Sequence, residues 1–140
     1  KMKKKILIVI ANYYVDISDG LLNNAKKILQ EPFDLISVPG IFEIPITIAK
    51  NIKKYDGFIA LGCVIKGETP HFDFISSAAI NGIMDLSIKH EMPIMNGIVT
   101  CLNKDQAIER CNPNKKNKGG AAAQALLHLL GISKDQNETK

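Results

Sequence analysis

The sequence predicts an α/β fold: a four-stranded parallel sheet covered by helices on both faces. Apolar runs of strand length alternate four times with stretches of helical periodicity. The runs KILIVIA (5–11) and GFIALGCVI (57–65) are apolar almost throughout, as strands buried on both faces are. Helical stretches separate the strands, and parallel pairing needs such crossovers.

Each element has its own signals. After strand 5–11, SDGLLNNAKKILQ (18–30) carries Leu21, Leu22, Ala25, Ile28 and Leu29 at helical spacing, with Asp16 or Ser18 placed to cap it. FDLISVP (33–39) is a second strand, stopped by Pro39-Gly40. EIPITIAKNIKK (43–54) reads as a short helix, with Pro45 tolerable only in its first turn. GFIALGCVI is the third and most buried strand. A long helix is expected from about Pro70 to Glu91, with Phe72, Ile75, Ala79, Ile80, Ile83, Met84 and Leu86 supplying most of its apolar stripe. PIMNGIVTCL (93–102) is the fourth strand. NKDQAIERC (103–111) opens with Asn103 as cap and Gln106 three residues on, a capping-box pattern. NPNKKNKGG reads as a loop, and AAAQALLHLLG (121–131) as a last helix closed by Gly131. A single domain over 1–140 is expected, with 1–4 and 132–140 as frayed ends.

A chain of 140 residues is long enough for a real core, and 46% apolar with 23% charged residues fits a soluble globular protein. The net charge of +4 equals the contribution of Lys1, Lys3, Lys4 and Lys5. That is a solvated basic end rather than a nucleic-acid surface, so no nucleic-acid partner is expected. The apolar run Ile6–Ala11 is too short for a signal peptide and is followed by no cleavage pattern; no stretch approaches membrane-spanning length. The three cysteines form no C-x-x-C pair. The expected location is therefore the cytoplasm, with no membrane partner, and Cys63 and Cys101 are expected to behave as small buried hydrophobes.

In parallel sheets of this kind, ligands bind beyond the carboxyl ends of the strands. Those ends are the loops ANYYVDI, VPGIFE, KGETPH and TCLNKD. In KGETPH, Thr69 is a good cap and Pro70 suits a first helical position. The free N–H groups of the turn and the helix dipole make an anion site, with Gly67 allowing close approach. His71 falls in the first turn, where the dipole disfavours imidazolium and leaves a ring able to accept a proton. On this loop alone, a surface histidine that follows a cap fits at least as well. Lysine occurs 17 times and arginine once, as Arg110. A guanidinium grips phosphate or carboxylate bidentately, although pairing with Glu109 or Asp105 explains it equally. Glu43 is either a favourable first-turn carboxylate or an acceptor for hydroxyl groups. Tyr13 or Tyr14 is placed to stack on a planar ring, or to cover the edge of the core. Other chemistries lack their motifs: there is no G-x-G-x-x-G after the first strand, no Walker loop, no G-x-S-x-G and no metal-ligand spacing, so no metal is expected.

The motifs VPGIFEIP, LGCVIKGETPHFDF, NGIVT, QAIER and NKGGAAA resemble the 6,7-dimethyl-8-ribityllumazine synthase family, in its order and spacing, from about Lys5 to Leu130. The resemblance implies a flavodoxin-like sandwich that assembles as a pentamer, with active sites between adjacent subunits. It implies condensation of 5-amino-6-(D-ribitylamino)uracil with 3,4-dihydroxy-2-butanone 4-phosphate, releasing phosphate and water, without cofactor or metal.

Roles follow by resemblance, residue by residue. Tyr13 matches the ring that stacks on the pyrimidine. Ile41, Phe42 and Glu43 match the segment that holds the ribityl chain. Cys63, Val64 and Ile65 match the strand end that binds the pyrimidine edge, largely through backbone. Gly67, Glu68 and Thr69 match the phosphate-binding turn, and His71 the proton-transfer residue. Arg110 matches the phosphate-binding arginine and Lys118 a lysine that helps bind the pyrimidine. Asn96 and the segment 110–118 would come from the neighbouring subunit. Four positions depart from the family's common pattern: Asn96 where many members place an aromatic, Tyr14 where many have Asn, Tyr13 for Phe or Trp, and Ala121 for an acid. None of these removes a residue that the chemistry requires.

Two other classes stay in view on the sequence: a flavin-binding module without turnover, and a scaffold whose function is assembly. The long helix carries small residues, Ser76, Ser77, Ala78, Ala79 and Gly82, not all of which can face the sheet. They point to close packing of another helix; the resemblance implies that this helix packs around a five-fold axis, and hence a homopentamer. Only KMKK precedes the first strand, which weakly favours isolated pentamers over larger shells.

Overall fold

A computed structural model describes residues 3–67 and 70–132. Four strands form one sheet: β1 (Ile6–Ala11), β2 (Asp34–Val38), β3 (Gly57–Ile65) and β4 (Ile94–Cys101), in the order β2-β1-β3-β4. All neighbours pair in parallel, with Leu7 opposite Asp34 and Phe58, and Cys63 opposite Val99. This is the 2-1-3-4 order of the flavodoxin-like class. The helices are α1 (Val15–Leu29), α2 (Ile44–Lys50), α3 (His71–His90), α4 (Lys104–Cys111) and α5 (Lys118–Leu129), with a 3-10 turn at Ile41–Glu43 before α2.

The uninterrupted apolar strands are explained by two cores. Ile6, Ile8 and Ile10 of β1, with Ile59, Leu61 and Cys63 of β3, pack on Leu21 and Ala25 of α1 and on Ala123 and Leu126 of α5. The alternate residues Leu7, Val9, Phe58 and Ala60 face Ile44 and Ile48 of α2 and Ala79 and Ile83 of α3. Successive side chains of a strand point to opposite faces, so covering both faces requires both sets to be apolar.

Several boundaries differ from the sequence reading, each for a local reason. The helix α1 begins at Val15, with Tyr14 at its N-cap and no side-chain cap bond. Ser18, expected as a possible cap, instead donates through Oγ to the Ala11 carbonyl at 2.7 Å and ties α1 to the end of β1. Asp16 lies in the first helical turn and pairs with Lys104 at 3.4 Å. The helix α2 ends at Lys50, and 51–54 is a turn. The helix α5 begins at Lys118, so Gly119 and Gly120 are helical rather than part of a loop. Asn117 caps it, accepting from the Gly120 N–H at 3.0 Å. Gly119 is required there because a Cβ would collide with the Leu21 carbonyl of α1.

Other boundaries hold. Asn103 caps α4 by accepting from the Gln106 N–H at 2.9 Å, while Gln106 Oε1 accepts from Leu102 N–H, one residue beyond the reciprocal partner of a capping box. Gly131, at φ 73°, follows α5, and its N–H reaches the His128 carbonyl. Ile132 packs against the α1–α5 core and donates to the Leu127 carbonyl, and residues 133–140 lie outside those described.

On α3, Ser76 and Ala79 face inward and are buried, while Ser77 and Ala78 are exposed. Gly82, the last of the small residues of this helix, lies against Pro45 of α2. Met84, read as part of the inward stripe, is 56% exposed, as are Phe74 (67%) and Ile88 (68%). No helix among the described residues is long and apolar enough to cross a membrane.

Candidate active site

A cleft of about 430 Å³ opens at the carboxyl ends of β1, β2 and β3. The exit of β1 contributes Tyr13 and Tyr14. The exit of β2 contributes the turn from Gly40 to Glu43. The end of β3 contributes Cys63, Val64, Ile65 and then Gly67, and α3 contributes His71, Phe72 and Ile75. Residues far apart in sequence meet there because every strand of the sheet runs the same way.

Each wall has a local cause. The β1 exit is tight: Asn12 N–H donates to the Val38 carbonyl, and Ser18 N–H to the Tyr14 carbonyl at 2.9 Å. The two tyrosine rings meet edge to face, with centroids 5.0 Å apart and planes at 85°. Tyr13 is 75% exposed, whereas Tyr14 is half-buried against the α1–α5 core. Burial pushes the Tyr14 phenol above its ordinary pKa, with Tyr13 and Cys63 adding to the rise. On the opposite side, Ile41 is buried under the 3-10 turn and Phe42 and Glu43 face the cleft. The turn seats closely on β3, because Gly62 presents no side chain to Ile41: a Cβ there would lie 2.5 Å from Ile41 Cδ1.

At the end of β3, Cys63 is 5% exposed and its thiol is pushed up to about 12, by burial first and then by Cys101. It stays a neutral thiol, so its contribution is shape and backbone rather than nucleophilic chemistry. Cys101 is also raised by burial, with the Arg110 guanidinium beside it acting the other way.

The turn between β3 and α3 is described in part. Glu68 and Thr69 lie outside the described residues, so the cap expected of Thr69 falls there too. Pro70 occupies the N-cap of α3 rather than its first helical position, and its carbonyl accepts from Asp73 N–H at 3.0 Å. His71 is therefore the first residue of a 20-residue helix and faces the cleft beside Gly67. Such an end carries free N–H groups and partial positive charge.

The cleft thus gathers Tyr13, Ile41, Phe42, Glu43, Cys63, Val64, Ile65, Gly67 and His71 from the expected set. It does not gather Asn96, Arg110 or Lys118. Asn96 is exposed on β4, where its Oδ1 accepts from Ile98 N–H at 2.9 Å. Arg110 sits in the last turn of α4 and donates to the Gln106 carbonyl at 3.3 Å. Lys118 is exposed at the start of α5. Tyr14, Gly40, Phe72 and Ile75 line the cleft as well. The sequence reading gave the last two to the helix core stripe; Ile75 does pack against the α2–α3 core as well as lining the cleft, whereas Phe72 lines the cleft alone. Among the described residues, no three His, Cys, Asp or Glu side chains are grouped to hold a metal ion.

A flavodoxin-like sheet with a mixed aromatic, acidic and imidazole cleft at its strand ends defines an α/β protein with a cleft of small-molecule size. The model of the 6,7-dimethyl-8-ribityllumazine synthase family matches residues 3–134. The chain is 45% identical to the 6,7-dimethyl-8-ribityllumazine synthase of Bartonella tribocorum, over 96% of this chain and 94% of that protein. It is 44% identical to that of Agrobacterium fabrum, over 94% and 96%, and 46% identical to that of Bartonella henselae, over 94% and 90%. The chain belongs to the 6,7-dimethyl-8-ribityllumazine synthase family, transferases of riboflavin biosynthesis.

Proposed function

We propose that this protein condenses 5-amino-6-(D-ribitylamino)uracil with 3,4-dihydroxy-2-butanone 4-phosphate, giving 6,7-dimethyl-8-ribityllumazine, phosphate and water, the penultimate step of riboflavin biosynthesis. The observation that carries the reading is the cleft itself, which brings Tyr13, Glu43, the Cys63–Ile65 strand end and His71 around one space. Tyr13 stacks on the pyrimidine, and the backbone of Cys63, Val64 and Ile65 meets its polar edge. Ile41, Phe42 and Glu43 hold the ribityl chain, with the Glu43 carboxylate accepting from its hydroxyls. Gly67, Glu68 and Thr69 take the phosphate at the positive end of α3.

The chemistry follows from the substrates. The amine and the ketone form an imine with loss of one water; phosphate leaves by elimination, giving an enol that tautomerises to a second carbonyl; the ribitylamino nitrogen closes the ring on that carbonyl with loss of a second water. These steps need orientation, proton transfer and an anion site. Holding two substrates in register is worth at most ~7–11 kcal/mol of barrier, and a positioned acid/base such as His71 about 10²–10⁴-fold. No cofactor is required by this sequence of steps.

The protein works as a homopentamer in the cytoplasm. Two features support the assembly. Arg110, Lys118 and Asn96 lie outside the cleft of their own subunit, and a neighbouring cleft would give each of them a ligand. The outer face of α3 leaves Phe74, Met84 and Ile88 exposed, next to an apolar groove between Phe42, Pro45, Ile46 and Ala78. Incubating the protein with both substrates tests the activity: lumazine fluorescence should appear with phosphate released in equal amount. A protein that binds the pyrimidine but forms no lumazine would overturn it. Light scattering tests the assembly, since a mass of 15.4 kDa would exclude it.

A further inference from the structure

We infer that Tyr14 is a positioning residue: its ring, anchored in the core, fixes the Tyr13 ring in the orientation that stacks on the pyrimidine. The inference rests on the proposed role of Tyr13. With 75% of its surface exposed, Tyr13 has little of the fold around it. A free ring at such a site samples several rotamers, and stacking would have to select one of them. Tyr14 is held differently. Its ring packs against the core that contains Ile10, Ile17 and Cys63. Its carbonyl accepts the first bond of α1 from Ser18 N–H, and the Ser18 hydroxyl closes the turn onto Ala11.

The rigid ring meets the exposed one edge to face at 5.0 Å and 85°, within the geometry that aromatic quadrupoles favour. Whichever ring supplies the edge, at least one face of Tyr13 stays open to the cleft. Both rings border that cleft together with Cys63 and Val64. The pair is thus a fixed support and a stacking surface. An asparagine at position 14 would provide no aromatic edge.

The test is a double-mutant cycle on pyrimidine binding, read by titration with the ribitylaminouracil, alongside the KM of the butanone phosphate. Tyr14→Leu keeps apolar volume against the core and removes the ring; Tyr14→Phe keeps the ring. Tyr14→Leu should weaken pyrimidine binding about fivefold and leave the butanone phosphate KM unchanged, while Tyr14→Phe should bind as the parent does. In a Tyr13→Leu background, Tyr14→Leu should have no further effect. The inference is overturned if Tyr14→Leu binds normally, if Tyr14→Phe is as weak as Tyr14→Leu, or if the two losses simply multiply. If Tyr13→Leu alone binds normally, the stacking role fails and the inference with it. Lumazine formation by the parent protein is read separately, so failure of the activity remains distinct from failure of the pair.

Discussion

Replacing Gly62 by alanine should disturb the cleft from behind. The new Cβ would lie 2.5 Å from Ile41 Cδ1 and 3.2 Å from the Ala11 Cβ. Carbon atoms in ordinary contact sit about 3.5–4.0 Å apart, so Ile41 Cδ1 must retreat by ~1 Å or more. Ala11 belongs to a central strand and has little freedom to move. Ile41 is buried, so its Cδ1 has little space to rotate into, and whatever the side chain does not absorb is passed to the 3-10 turn that also carries Phe42 and Glu43. Overpacking of this kind costs about 1–3 kcal/mol of stability. At the site, a shift of about 1 Å in binding groups lowers turnover by up to ~10²-fold. Urea unfolding and pyrimidine titration measure the two effects separately. A second change, Ile41→Val, removes Cδ1 and should restore much of both losses in the Gly62→Ala background. The packing argument is wrong if Gly62→Ala binds and turns over as the parent does, or if the double variant recovers nothing.

Three further outcomes follow from the same geometry. His71→Ala should lower turnover by about two orders of magnitude while folding and pyrimidine binding persist; unchanged turnover would remove His71 from the mechanism. Arg110→Lys keeps charge but loses the fork, so the KM of the butanone phosphate should rise and that of the pyrimidine should not; the reverse pattern would mean that Arg110 serves the other substrate. Alkaline pH should weaken the fold. Cys63 is raised by burial from 9.0 to about 12, so the folded state keeps a proton that the unfolded chain loses. Its contribution is complete below pH 9 and falls as the pH climbs toward 12, with Tyr14 and Cys101 shifted in the same direction. Urea midpoints taken below pH 9 and at about pH 11 should differ less in Cys63→Ala than in the parent; an equal drop in both would rule out Cys63 as a contributor.

Strand β3 was legible residue for residue, because its apolar run is bounded by Asp56 and Lys66 and both of its faces are covered. The cap at Asn103 was legible for a similar reason: capping is local chemistry. The start of α5 was hidden because Gly119-Gly120 reads as a loop until α1 is known to pass close by. The start of α1 was hidden because Ser18 has the chemistry of a cap and uses it on a strand carbonyl instead. Within the cleft, the residues contributed by loops were found, since polar and aromatic groups stand out against apolar strands. Phe72 and Ile75 were not, because an apolar stripe that runs on into a cleft looks the same in sequence as one that stays over the core; Ile75 lies on both. Asn96, Arg110 and Lys118 lie outside the cleft of their own chain, and the roles proposed for them come from the family resemblance and not from local sequence chemistry.

Subunit mixing tests the shared active site most directly. Two proteins, His71→Ala and Arg110→Ala, are each expected to be nearly inactive, and they are dissociated, mixed in equal amounts and reassembled. If one subunit supplies His71 and its neighbour Arg110, about a quarter of the sites in a random ring unite both native residues, and lumazine fluorescence should recover to about that fraction of the parent rate. Mixed rings that form but show no recovery would contradict the account, because each site would then draw both residues from the same chain.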